Sequence, residues 1–113
     1  MIAKELIKGT IRTIILQLLA DETKMYGYQI MQTIEKRSDG KIKLTFGSLY
    51  PILHKLESEG MIKSESISLG KRVRKYYYLT NVGKNEKEIK VNEIKEFVDT
   101  LNQLLNKGGI VYG

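Results

Sequence analysis

The sequence has no cysteine and no tryptophan, and only one histidine and one proline. Without cysteine there is no disulfide, no thiolate nucleophile and no cysteine–zinc site. A lone His54 cannot build a histidine metal cluster, so no metal and no cofactor is expected. No apolar run approaches the length of a membrane span. The first residues, MIAKELIKGTIR, intersperse lysines among apolar groups and do not read as a signal peptide. A cytoplasmic protein without a membrane partner is expected. Carboxylates are also scarce: 13 against 19 lysines and arginines. They form no paired-acid motif, because Glu57 and Glu59 lie two apart on a predicted helix and do not face each other. With no glycine-rich phosphate loop either, no catalytic constellation is visible, and the protein is not expected to be an enzyme.

The 113 residues suffice for one domain, or a domain with an appendage, and 42% hydrophobic content supports a modest core. The net charge of +6 favours an anionic partner, nucleic acid before a membrane surface.

The most informative stretch is LTFGSLYPILHKLESEGMI, from Leu44 to Ile62. Leu49, Ile52, Leu53 and Leu56 fall on one helical face. Thr45 is the expected N-cap, which places Pro51 beyond the first turn, where some distortion is expected. Gly60 stands where a helix end takes a left-handed residue. The opposite face carries Gly47, Ser48, Pro51, His54, Lys55 and Ser58, with no carboxylate before Glu57. Such a face can approach an anionic surface, although ordinary amphipathic helices share the pattern.

Upstream, a first helix is expected from about Ile2 to Leu19, with Ile11, Ile14, Ile15, Leu18 and Leu19 buried and Ile7 extending that face. Gly9 weakens its start. Lys4, Lys8 and Arg12 read as solvated surface. Asp21 to Met25 reads as a polar connection. A second helix follows from about Tyr26 to Arg37, with Ile30, Met31 and Ile34 inward. Gly27 suggests close backbone approach, to a helix in preference to a phosphate. Ser38, Asp39 and Gly40 end it, and Lys41 to Leu44 alternates as a short strand would.

Downstream, Met61 to Ser68 and Val73 to Thr80 read as a hairpin. Its tip carries Lys71, Arg72, Arg74 and Lys75, which repel one another unless solvated or paired with anions. Tyr77 and Leu79 are expected on the core, and Tyr76 and Tyr78 more exposed. Thr80 is the expected cap of a last helix from Asn81 to Asn106. Its apolar positions are Val91, Ile94, Val98, Leu101 and Leu105, widened by Phe97 and Leu104. About 25 helical residues span about 37 Å, more than the preceding fold can cover. A symmetric partner chain is the natural cover, with packing on the chain's own first helix as the alternative. The tail, 107–113, reads as loose.

The expected fold class is therefore mainly α with a small β-hairpin. It is a winged helix-turn-helix DNA-binding domain over 1–80, followed over 81–113 by a long C-terminal dimerisation helix and the tail. In a winged helix the third helix lies in the major groove of double-stranded DNA. Ser48, Pro51, His54 and Lys55, with Thr45 nearby, are expected to read base edges, and Tyr50 to donate to a phosphate. Lys71, Arg72, Arg74 and Lys75 are expected to grip phosphates. A protein- or RNA-interaction module without operator specificity is the competing reading.

Three blocks carry a family resemblance: YGYQI from Tyr26, GSLYPILHKLESEGMI from Gly47 and RKYYYLTNVG from Arg74. In this order and spacing they resemble PadR-type transcriptional regulators, in the short form with one C-terminal helix. The resemblance covers the chain from Ile11 to Leu105. It implies a homodimer joined through the last helices and binding to a two-fold symmetric operator. It also implies repression, in many members responsive to a small-molecule effector. Multidrug-binding members sandwich flat ligands between tryptophans. This chain has none, and Phe97 is expected to serve as dimer core.

Overall fold

The computed structural model describes residues 2–106. The tail expected to be loose lies outside them. The chain does not begin with one long helix. Helix α1 (Lys4–Ile7) stops at a joint around Gly9, whose φ of +96° no side-chain-bearing residue adopts easily. Helix α2 (Ile11–Glu22) then starts afresh and runs past the predicted end at Leu19. Of the predicted stripe, Ile11, Ile15, Leu18 and Leu19 are buried and Ile14 is half-buried, but Leu16 and Thr13 are buried too. Helix α2 is enclosed on more than one side because the last helix of the chain also packs on it.

The connection after α2 is shorter than its polarity suggests. Met25 and Tyr26 form strand β1, and Met25 is fully in the core. Helix α3 (Gly27–Arg37) is closed at its start by the Gln29 side chain, whose Oε1 accepts from the Tyr26 amide at 3.1 Å. The expected strand at Lys41 to Leu44 is not one. Ser38 Oγ accepts from the Ile42 amide at 3.0 Å, and the Lys41 carbonyl accepts from the Ile2 amide at 2.9 Å. With its backbone engaged in this way, the segment is an irregular link. Ile42 and Leu44 still pack on the core.

Helix α4 (Phe46–Ser58) begins at Thr45, as predicted. Thr45 Oγ1 accepts from the Ser48 amide at 3.2 Å, and Ser48 Oγ accepts from the Thr45 amide at 3.0 Å. A cap of this kind contributes about 1 kcal/mol. The helix continues through Pro51, which has no amide hydrogen to donate to the Gly47 carbonyl four residues before it. At its end Gly60 has φ +76°, and the Met61 amide reaches back to the Leu56 carbonyl at 2.9 Å.

Strands β2 (Ile62–Leu69) and β3 (Arg72–Leu79) form the hairpin, joined through Gly70 and Lys71. Strand β1 pairs with the other edge of β3, Met25 opposite Tyr77, giving the order β1–β3–β2. Thus the hairpin is three-stranded at its base and two-stranded towards its tip. Tyr77 is buried as expected, and burial raises its phenol pKa, with smaller contributions from Tyr50 and Glu57. Tyr76 and Tyr78 are half-buried and so more exposed than Tyr77, as expected. Tyr76 meets Tyr26 edge-on at 5.5 Å.

Thr80 caps helix α5 (Asn81–Leu105), its Oγ1 accepting from the Gly83 amide at 3.0 Å. The same hydroxyl donates to the Gly60 carbonyl at 2.6 Å, which locks the end of α4 to the start of α5. The core gathers α2, α3, α4 and the sheet base around Ile15, Leu19, Ile30, Leu49, Leu53 and Ile62. Past this body α5 extends, and the molecule is 63 Å long.

Candidate nucleic-acid interface

Helix α4 buries Leu49, Leu53 and Leu56 completely. The opposite face is correspondingly exposed: Thr45, Gly47, Ser48, Pro51, His54, Lys55 and Ser58 all lie on the surface. Glu57, the first carboxylate on the helix, turns aside to the hairpin. Its Oε2 accepts from Ser64 Oγ at 2.7 Å, and Lys75 Nζ lies 3.8 Å from its Oε1. Glu59 is held by Arg12 at 2.5 Å, which keeps its carboxyl below the usual carboxylate range. Arg12 is thus an ion-pair partner and not free surface. Glu57 and Glu59, at the end of α4 and just past it, are therefore both paired with cations, and the outer face carries hydroxyls, an imidazole and an ammonium.

Phe46 escaped the sequence reading. It is 48% exposed and stacks on Tyr50, with ring centroids 5.7 Å apart. The signal was its position off the Leu49–Leu56 stripe and one turn before Tyr50. Tyr50 itself lies at the flank, with its hydroxyl against Gly27 at the start of α3. The close approach expected at Gly27 is therefore to a helix, through a side chain.

The hairpin cations do not cluster at the tip as a group of four. Only Lys71 lies in the two-residue turn, while Arg72 and Arg74 share one face of β3 and Lys75 lies on the other. Arg74 sits over the Tyr26 ring, 4.0 Å from its centroid. The neighbouring Tyr76 hydroxyl raises its pKa further above the usual guanidinium range. Lys75 leans to Glu57 and the Tyr77 ring. Lys71 and Arg72 are exposed, and among the described residues neither has an ion-pair partner.

The seven residues expected to join two chains divide between two environments. Val91 and Ile94 line a groove of about 480 Å³ against Thr13, Ile14 and Leu18 of the chain's own α2. Leu101 is half-buried, while Phe97, Val98, Leu104 and Leu105 face outwards. Packing on α2 therefore covers the first part of the stripe and leaves the rest bare. Among the described residues there is no group of acidic or histidine side chains that could hold a metal ion. No described helix is long and apolar enough to cross a membrane.

Comparison with known proteins agrees with this arrangement. Residues 15–89 match the model of the transcriptional regulator PadR-like family. A transcriptional regulator from Clostridium thermocellum superposes with a TM-score of 0.85 at 29% identity, over 94% of this chain and all of the other. A PadR family transcription regulator from Clostridium difficile R20291 is 34% identical over 87% of this chain and all of its own, with a TM-score of 0.73. An uncharacterized protein of Lysinibacillus sphaericus is 32% identical, covering 88% of this chain and 94% of its own length.

Proposed function

The chain belongs to the PadR-like family of transcriptional regulators, and from that membership we propose that it is a homodimeric repressor of a two-fold symmetric operator. It is a winged-helix regulator of transcription and not an enzyme. In this reading, residues up to 80 form the DNA-binding unit and α5 joins two copies. The observation that carries it is the outer face of α4, free of unpaired carboxylate over its whole length, beside a hairpin with exposed Lys71 and Arg72.

Ser48, Pro51, His54 and Lys55 face the major groove, with Thr45 at its edge. A hydroxyl or an ammonium hydrogen-bonds base edges, and the Pro51 ring and Phe46 offer apolar contact to thymine methyls. Tyr50 donates to a phosphate from the flank. Lys71 and Arg72 hold the backbone without reading sequence, while Arg74 and Lys75 add positive potential from fixed positions. Paired α5 helices set the separation of the two recognition helices, which must match about 34 Å, one turn of duplex. A small molecule that alters the angle between them changes that separation and releases the operator.

The test is binding to genomic fragments, including the gene's own upstream region, over a salt series. Selective retention of one fragment is expected, with an affinity that falls steeply as salt rises. Equal binding of RNA and random duplex at all salt concentrations would instead mark an interaction module without an operator.

A further inference from the structure

Two lysines that the sequence reading assigned to plain solvent, Lys4 and Lys8, are brought by the fold to the recognition helix, beside Lys43 of the link that precedes it. The joint at Gly9 turns α1 away from the axis of α2. The hydrogen bond from the Ile2 amide to the Lys41 carbonyl ties the start of the chain to the link before α4. Two grooves then run between the N-terminal segment and α4. One, of about 180 Å³, is lined by Lys4, Lys8, Lys43 and Ser48 among others. The second, of about 340 Å³, brings Lys8 against Pro51 and Lys55. Lys4, Lys8, Lys43 and Lys55 are all exposed, and among the described residues none has an ion-pair partner. Glu5 lies beside Lys4 in sequence but lines neither groove.

The placement around α4 gives this cluster its meaning. At 100° per residue, Glu57 lies half a turn from Ser48. Glu57 touches the hairpin, and Ser48 lines the lysine groove. The outward residues Gly47, Pro51, His54 and Ser58 fall between these two directions, and the buried leucines lie opposite them. The hairpin and the lysine cluster thus flank the outward face from its two sides.

We propose that Lys4, Lys8 and Lys43 form a second phosphate-gripping ridge, across the recognition helix from the hairpin. A duplex seated on α4 would meet cations along both of its flanking backbones. The ridge makes no base contact, so it raises affinity equally for all sequences. This inference rests on the DNA-binding role of α4, and its test is separable from that role.

The experiment compares the full-length double variant K4A/K8A with K84A/K95A, which removes the same charge from exposed positions on α5. Both are titrated with the retained fragment and with random duplex over a salt series. In a dimer both ridge lysines occur twice, so K4A/K8A should flatten the log–log salt slope by about 3 to 4. Operator and random affinities should fall together, leaving their ratio unchanged. K84A/K95A should leave the slope near the wild-type value. A K4A/K8A slope equal to wild type, or an equal loss in K84A/K95A, overturns the ridge. A wild-type protein without fragment preference would overturn the operator reading instead. Unchanged thermal melting of both variants shows that neither result is a folding defect.

Discussion

On the proposed homodimer, replacing Val98 and Leu105 by glutamate is expected to yield a monomer whose affinity for the proposed operator is lower by about a hundredfold or more. Four apolar residues in the last part of α5 are heavily exposed: Phe97 58%, Val98 48%, Leu104 75% and Leu105 77%. Apolar surface of this extent along one stripe is covered in a stable protein, and a two-fold axis lets the same stripe cover itself. Each substitution enters an isologous interface twice, so the double variant sets four like charges in a dry contact. Within one chain these side chains stand in solvent, so the winged-helix body should fold as before. Losing the partner removes the gain from binding two half-sites with one particle, which is the origin of the large factor. Light scattering coupled to gel filtration reads the mass, circular dichroism the fold, and the titration the affinity. A variant that still elutes as a dimer would show that the chains join elsewhere.

The second large effect is on stability. Gly83→Ala is expected to cost about 3 kcal/mol, at the upper end of what overpacking does. A Cβ built at Gly83 would stand 2.0 Å from the Met61 carbonyl oxygen and 3.0 Å from a Leu79 methyl. That oxygen is backbone, and it already accepts from the Thr80 amide at 3.1 Å. It can retreat only by breaking the junction between α4, the hairpin and α5. Gly27→Ala makes the useful contrast. Its Cβ would meet the Tyr50 hydroxyl at 2.5 Å, but that is the far end of a side chain at the surface, which can swing aside. The expected cost there is under about 1 kcal/mol. Urea denaturation of both variants checks the order. Equal losses would mean that the Met61 carbonyl yields more easily than a paired backbone group should.

The sequence made the central elements legible because their signals are local. Thr45, the Leu49–Leu56 stripe and Gly60 specify α4 from within a single segment, and both caps stand where they were predicted. The hairpin and α5 were readable for the same reason. What was missed depends on residues far apart in the chain. Strand β1 is two residues long, and its evidence is Tyr77 and Tyr76, adjacent in space but far along the chain. The strand pattern of Lys41 to Leu44 lost to Ser38 and Ile2, which occupy its backbone groups. Arg74 looked like a member of a free cation cluster because Tyr26 lies 48 positions before it.

The candidate site divides along the same line. A helical wheel alone shows that Ser48, Pro51, His54 and Lys55 share the outward face. No sequence pattern places Lys4 and Lys8 beside them. That adjacency follows from the turn at Gly9 and from the Ile2–Lys41 hydrogen bond.

The uneven width of the sheet gives the hairpin a mechanical gradient. At its base β3 is held on both edges, by β1 and by β2, and its Tyr77 is buried. Beyond Tyr76 it has β2 alone, and Val73 on the outer stretch is 70% exposed. A beam clamped at one end bends mostly at its free end. In the proposed complex the tip would therefore follow a groove whose width varies along the duplex, while the clamped base keeps α4 and α5 in fixed register. Compliance at Lys71 and stiffness at Tyr77 are properties of the same eight-residue strand and its turn.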